Sequence, residues 1–180
     1  VHSLGDSDEN SLELREALYF DDPAMTAFMR GWAAREGKSG IVGLSTCNRT
    51  EFYIASRHPE AHRERLLETL VSARGVESGH LRAHAYSFQD AEAIGHLCRV
   101  AAGIDSLVVG EDQILAQVKQ AYRRAIDLGC AGAFLHLAFE RALRVAKRVR
   151  TETRVNEGAV SVASVAVALV KKIFDNLVHC

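Results

Sequence analysis

The sequence predicts an α+β domain: a small antiparallel sheet packed with helices, ferredoxin-like in outline, followed by a helical segment and the start of a long connecting helix. Three observations lead there. Strand-like and helix-like patterns are mixed as far as Phe88; beyond it, helical periodicity takes over; and two short apolar, β-rich runs flank a turn closely enough to form a hairpin.

Composition narrows the class. A chain of 180 residues suits one domain, or one domain and part of another. With 48% hydrophobic and 25% charged residues, a disordered chain is excluded. The net charge of -1 offers no global attraction for nucleic acid or membrane, so a polyanionic partner has to be argued from a local patch. Cys47, Cys98, Cys130 and Cys180 lack metal-ligand or disulfide-framework spacing, which points to reduced thiols in a cytoplasmic protein. The longest apolar run, "AVSVASVAVALV", is too short to span a bilayer. No secretory signal is evident, so the Asn48-Arg49-Thr50 sequon is expected to be coincidental.

Taken in order, "VHSLGDSDEN" is expected to be a frayed strand and loop. In "DDPAMTAFMRGWAARE", Asp22 is placed to cap a helix that has Pro23 in its first turn. Met25, Phe28, Met29 and Trp32 recur there at spacings of three and four. "GIVGLSTC" and "EFYIAS" read as the paired strands, with Asn48 suited to their turn. A helix from His58 to Arg74 turns Leu66, Leu67, Leu70 and Val71 to one side and ends at Gly75. "HAYSF" reads as a further short strand, and helices follow at about 90–102, 111–128, 133–153 and 160–176.

Four stretches could carry chemistry. Cys47, in "LSTCNRTEF", is either a small buried hydrophobe or a thiol displayed at a strand end, where a cation such as Arg49 would favour the reactive thiolate. Arg49 could instead clamp a carboxylate, or be a solvated turn residue. "GIDSLVVGEDQILAQVKQAY" gathers Ser106, Glu111, Asp112, Gln113 and Gln117 around a helix start, which reads as an anion site or as an acid-capped terminus. His96 is a packed residue or a proton-transfer group. In "RALRVAKRVRTETR", Arg141, Arg144, Lys147, Arg148, Arg150 and Arg154 form a solvated helix face or a phosphate contact.

Together, "STCNRTE", "HLCRVAAGIDSLVVGEDQILAQVKQAY" and "RVAKRVRTETR", followed by "GAVSVASVAVALVKKIF", resemble the amino-terminal catalytic region of glutamyl-tRNA reductase, in that family's order and over about two thirds of the chain. The resemblance implies an oxidoreductase at the start of tetrapyrrole (porphyrin) biosynthesis. Such an enzyme reduces glutamyl-tRNA to glutamate-1-semialdehyde with NADPH, through a thioester on a cysteine that is here Cys47. It implies substrate contacts from Thr46, Asn48, Arg49, Ser106, Glu111, Asp112, Gln113 and Gln117, and a catalytic role for His96 with no metal. It also implies a homodimer in the full-length protein and channelling to glutamate-1-semialdehyde aminomutase.

Two departures qualify the match. "SLGDSDENS" stands where the family carries a Gly-x-Asn/Ser-His-basic-Thr segment, which leaves open a non-catalytic tRNA-binding or regulatory homologue. A generic cysteine hydrolase is a further alternative, if His96 reaches Cys47. The chain also lacks a Gly-x-Gly-x-x-Gly fingerprint. It therefore reads as a fragment, with a catalytic domain over 1–155 and, over 156–180, the start of a helix leading to an absent NADPH-binding domain.

Overall fold

The computed structural model describes residues 9–37, 40–106 and 112–153; the side chains of residues 9–11 and 112 lie outside that description. The expected connecting helix, Cys180, Arg154 and Glu111 also lie outside it. The elements run α1 (Glu9–Ala17), α2 (Asp22–Glu36), β1 (Ile41–Ser45), β2 (Thr50–Ile54), α3 (Pro59–Arg74), α4 (Ser78–His84), α5 (Asp90–Ala102), α6 (Asp112–Asp127) and α7 (Gly132–Glu152).

The α+β expectation holds. The small antiparallel sheet is the β1–β2 hairpin, in the register Ile41 to Ile54 through Ser45 to Thr50. Strand alternation gives the hairpin two different faces. On one, Gly43 and Phe52 meet α2: Phe52 packs with Phe20 and Phe28 at centroid distances of 5.9 and 5.0 Å. A Cβ at Gly43 would lie 2.2 Å from Met25 Sδ, so any larger residue there requires the Met25 side chain to shift. The other face carries Val42, Leu44, Glu51 and Tyr53, and Tyr53 meets Phe139 of α7 edge-on at 5.2 Å. The Cys130 carbonyl, in the α6–α7 link, accepts from Ile41 N–H at 2.8 Å, and α5 packs along α7.

The helix periodicities hold as well. Met25, Phe28, Met29 and Trp32 are the buried face of α2, and Gly75, in the left-handed region at φ 67°, ends α3. Three readings need correction. Asp21, rather than Asp22, caps α2: its carboxylate accepts from Ala24 N–H at 2.8 Å, and Asp22 is already helical. Glu9 and Asn10, expected in a loop, begin α1, whose far end buries Leu14.

"HAYSF" is not a strand. Glu77 caps α4 by accepting from Gly79 and His80 N–H, and that helix runs through His84. Ala85 is extended, but no described strand lies beside it to form a ladder. Tyr86 and Phe88 instead pack on the His96 ring, at 5.6 and 4.8 Å. Their β-forming character reflects aromatic packing rather than sheet pairing.

Candidate active site

The hairpin closes through Thr46-Cys47-Asn48-Arg49. Thr46 N–H donates to the Arg49 carbonyl at 2.8 Å, which leaves Cys47 and Asn48 as a two-residue loop. Such loops are commonly closed by left-handed residues, yet among the described non-glycine residues Asp90 alone has a positive φ. The Thr46 hydroxyl closes this turn instead: Oγ1 accepts from Asn48 N–H at 3.2 Å and from Arg49 N–H at 3.1 Å. Asn48 therefore serves the turn, as expected, through its backbone N–H and without a positive φ. Thr46 is buried and Cys47 exposed, so the thiol stands at the apex of a braced turn. Below it, Ser45 and Thr50 pair across the strands at 3.1 Å and bond to Phe20 N–H and the Leu18 carbonyl.

From the turn, Arg49, just before β2, and Glu51 and Tyr53 within it point to one side. Arg49 is buried, and Nη1 donates to Glu51 Oε1 at 2.8 Å. The guanidinium also bonds the Asp105 carbonyl and lies 3.6 Å from the Asp105 carboxylate. Glu51 Oε1 further accepts from Tyr86 at 2.5 Å and faces His96 Nε2 at 3.0 Å; Oε2 accepts from Tyr53 at 2.5 Å. His96 Nδ1 lies 3.4 Å from Asp105 Oδ2. One network thus joins β2, the α4–α5 link, α5 and the segment just beyond α5.

Its electrostatics are consistent with that geometry. Burial pushes the Glu51 carboxyl up, but the His96 hydrogen bond, the Arg49 and His96 charges and the Tyr53 phenol outweigh burial and hold it well below the usual carboxylate range. Burial, followed by the adjacent Glu51 charge, pushes the Tyr53 and Tyr86 phenols up, so both remain neutral donors. An ionised carboxylate can only accept, so the proton on the facing imidazole nitrogen is on Nε2. That leaves Nδ1 directed at Asp105.

The structure therefore brings together Arg49 and His96 through Glu51, and Thr46, Cys47, Asn48 and Arg49 through the turn. Ser106 follows Asp105 and is half-buried. Gln113 and Gln117 lie one turn apart on α6, the former exposed, and neither hydrogen-bonds to the network among the described residues. Asp112 begins that helix. A cleft of about 970 Å³, with walls from β2, α3, α4, α5 and, through Phe134, Leu135 and Ala138, α7, reaches Glu51, Tyr53, Tyr86 and His96, but Cys47 is not among its described walls. Among the described residues, no group of three His, Cys, Asp or Glu side chains could hold a metal, and no helix is long and apolar enough to cross a membrane.

Glu51, Tyr53, Tyr86 and Asp105 are the members that sequence reading missed. A signal existed for two of them. Arg49, Glu51 and Tyr53 alternate with Thr50, Phe52 and Ile54, and a polar face on a strand within an apolar core implies partners opposite it.

The family profile described as "Glutamyl-tRNAGlu reductase, N-terminal domain" matches residues 6–153, which span the turn, the network and α7. The chain belongs to the glutamyl-tRNA reductase family. It is 46% identical over 166 residues to the glutamyl-tRNA reductase of Rubrobacter xylanophilus, covering 92% of this chain and 38% of that relative. It is 42% identical over 169 residues to that of Halorhodospira halophila, covering 94% of this chain and 37% of the relative. The solved glutamyl-tRNA reductase from Methanopyrus kandleri superposes with a TM-score of 0.72 at 34% identity, over 96% of this chain and 38% of that one. The chain thus spans under two fifths of each of these three glutamyl-tRNA reductases, and it corresponds to the family's amino-terminal domain.

Proposed function

We propose that this domain, over 1–155, carries the acyl-transfer half of glutamyl-tRNA reduction. The Cys47 thiolate attacks the ester carbonyl of glutamyl-tRNA. A carbon–sulfur bond forms, the carbon–oxygen bond to the terminal ribose breaks, and the ribose oxygen takes up a proton equal to the one the Cys47 thiol gave up, leaving as a hydroxyl while glutamate is held as a thioester. The observation that carries this reading is the exposed Cys47 at the apex of a turn that the Thr46 hydroxyl braces, inside the family match. A thioester suits a reduction that must stop at the aldehyde, because sulfur donates less electron density into the carbonyl than oxygen does. Thr46, Asn48, Arg49, Ser106, Glu111, Asp112, Gln113 and Gln117 are the proposed substrate contacts. Of these, Arg49 is already paired with Glu51, which favours a role in setting the local field over a free clamp. His96, engaged through Glu51 and facing Asp105, is better placed to position the hairpin, with any proton it passes moving along that buried path.

NADPH, when bound, supplies the hydride that releases glutamate-1-semialdehyde. The described residues do not form a dinucleotide site: their two strands are antiparallel, and the sequence has no Gly-x-Gly-x-x-Gly. The reduction is therefore assigned to the parts of the longer relatives that this chain does not span. A cytoplasmic homodimer with channelling of the aldehyde to an aminomutase belongs to the same reading of the full-length protein.

The test is to incubate the chain with glutamyl-tRNA, quench, and search by mass spectrometry for glutamate on Cys47, with Cys47→Ser as control. An adduct on the wild type alone is expected. No adduct and no deacylation would favour a non-catalytic tRNA-binding homologue.

A further inference from the structure

Helix α7 buries Leu135, Ala138, Phe139, Ala142 and Ala146 against the core. Its flank and outer face present Phe134, Leu137, Arg141, Arg144, Val145 and Arg148, an exposed stripe roughly 21 Å long, and Phe134 also edges the cleft that reaches Tyr53 and His96. Single exposed apolar residues are common on a solvated helix face, but two large ones one turn apart make a patch. Here Phe134 is 60% and Leu137 53% exposed, one turn apart, and the stripe then becomes cationic. Helix α7 holds five Arg or Lys residues against two Glu. Arg148 pairs with Glu152, whereas Arg141 and Arg144 have no carboxylate partner among the described residues.

We infer that this stripe docks the single-stranded end of an RNA, with base faces stacked on Phe134 and phosphates held by Arg141 and Arg144. The inference rests on the proposed function, which supplies an RNA substrate with an acylated end. Guanidinium forks fit phosphate oxygens, and an exposed aromatic ring beside them stacks any base. The same helix packs on α5, which carries His96, and touches β2 through Phe139 and Tyr53, so the stripe sits on a helix that contacts the strand leaving the Cys47 turn.

Fluorescence anisotropy with uncharged glutamate tRNA, titrated with salt, tests it on the whole 180-residue chain. The double variant Arg141→Ala/Arg144→Ala should bind about tenfold more weakly, with a salt slope shallower by about two. Phe134→Ala should lose about fivefold or more with the slope unchanged. Arg123→Ala, an exposed cation on α6, should bind within twofold of wild type. An unchanged slope in the double variant, an unaffected Phe134→Ala, or a change in sedimentation in place of RNA affinity overturns the inference, the last by showing that the stripe joins copies of the chain.

Acylation of Cys47 by glutamate α-cyanomethyl ester, which carries no phosphate, separates the two readings. If the wild type is acylated by neither this ester nor glutamyl-tRNA, the acyl-transfer function fails. If it is acylated and the stripe variants bind tRNA normally, only the docking inference fails.

Discussion

Glu51 of β2 and His96 of α5, 45 residues apart in the chain, face each other at 3.0 Å inside the core. Glu51 also receives Arg49, Tyr53 and Tyr86, so one carboxylate fixes both the strand that leaves the Cys47 turn and the helix behind it. Removing its charge takes from the buried Arg49 guanidinium its nearest carboxylate. Glu51→Gln is therefore expected to cost about 3 kcal/mol in urea unfolding at neutral pH, with Asp105 limiting the loss. A change under about 0.5 kcal/mol would mean that the network does not bear on stability.

The same carboxylate predicts a pH dependence. Its native pKa is depressed, so between the native value and the ordinary glutamate value of about 4.3 the unfolded chain binds more protons, and stability rises with pH across that window. The Glu51 contribution is complete above the window and is lost as pH falls through it. The difference in unfolding midpoint between wild type and Glu51→Gln should be smaller at pH 3.5 than at pH 7. A gap that widens in acid would reverse the sign and refute the assignment.

The Thr46 hydroxyl satisfies two backbone donors at once. Thr46→Val keeps the branched shape but removes the acceptor, and is expected to lower stability by about 1–2 kcal/mol. Thr46→Ser should retain most of it. Acylation of Cys47 should fall with Thr46→Val and recover with Thr46→Ser, because the turn presents the thiol. Equal acylation in both variants would separate the turn from the chemistry.

What the sequence revealed and what it concealed follow from the range of the interactions. Local signals carried well: the apolar spacing of α2, the glycine stop after α3, and the hairpin around Thr46 to Arg49 depend on neighbours within a few residues. Cys47 and Arg49 were visible as chemistry, but the partner that sets the behaviour of Arg49 was not. Glu51 looked like an ordinary polar strand residue until Tyr86, His96 and Asp105 arrived from other elements. "HAYSF" failed for the same reason, since aromatic residues that favour strands also pack on an imidazole, and only the neighbouring elements decide which.

Cys47→Ser isolates the thiol from the fold. Cys47 is exposed and accepts no bracing role in the turn, which the Thr46 hydroxyl closes, so its unfolding free energy should stay within about 0.5 kcal/mol of wild type. Its glutamyl adduct should nonetheless disappear.

Close backbone approach supplies the last prediction. A Cβ at Gly40 would lie 2.6 Å from the Ala131 carbonyl oxygen and 3.1 Å from its carbon, where the α6–α7 link meets β1. A Cβ at Gly43 would meet Met25 Sδ at 2.2 Å, a shorter contact but with a side chain that can change rotamer. Backbone bonded as the Cys130 carbonyl is to Ile41 N–H cannot shift without losing that bond. Gly40→Ala is therefore expected to be the more destabilising of the two, by about 2–3 kcal/mol against about 1–2 for Gly43→Ala, in thermal or urea unfolding. The order is the informative part: if Gly43→Ala proves worse, the Met25 side chain is locked by the α2 core, and the hairpin is held more firmly from α2 than from the α6–α7 link.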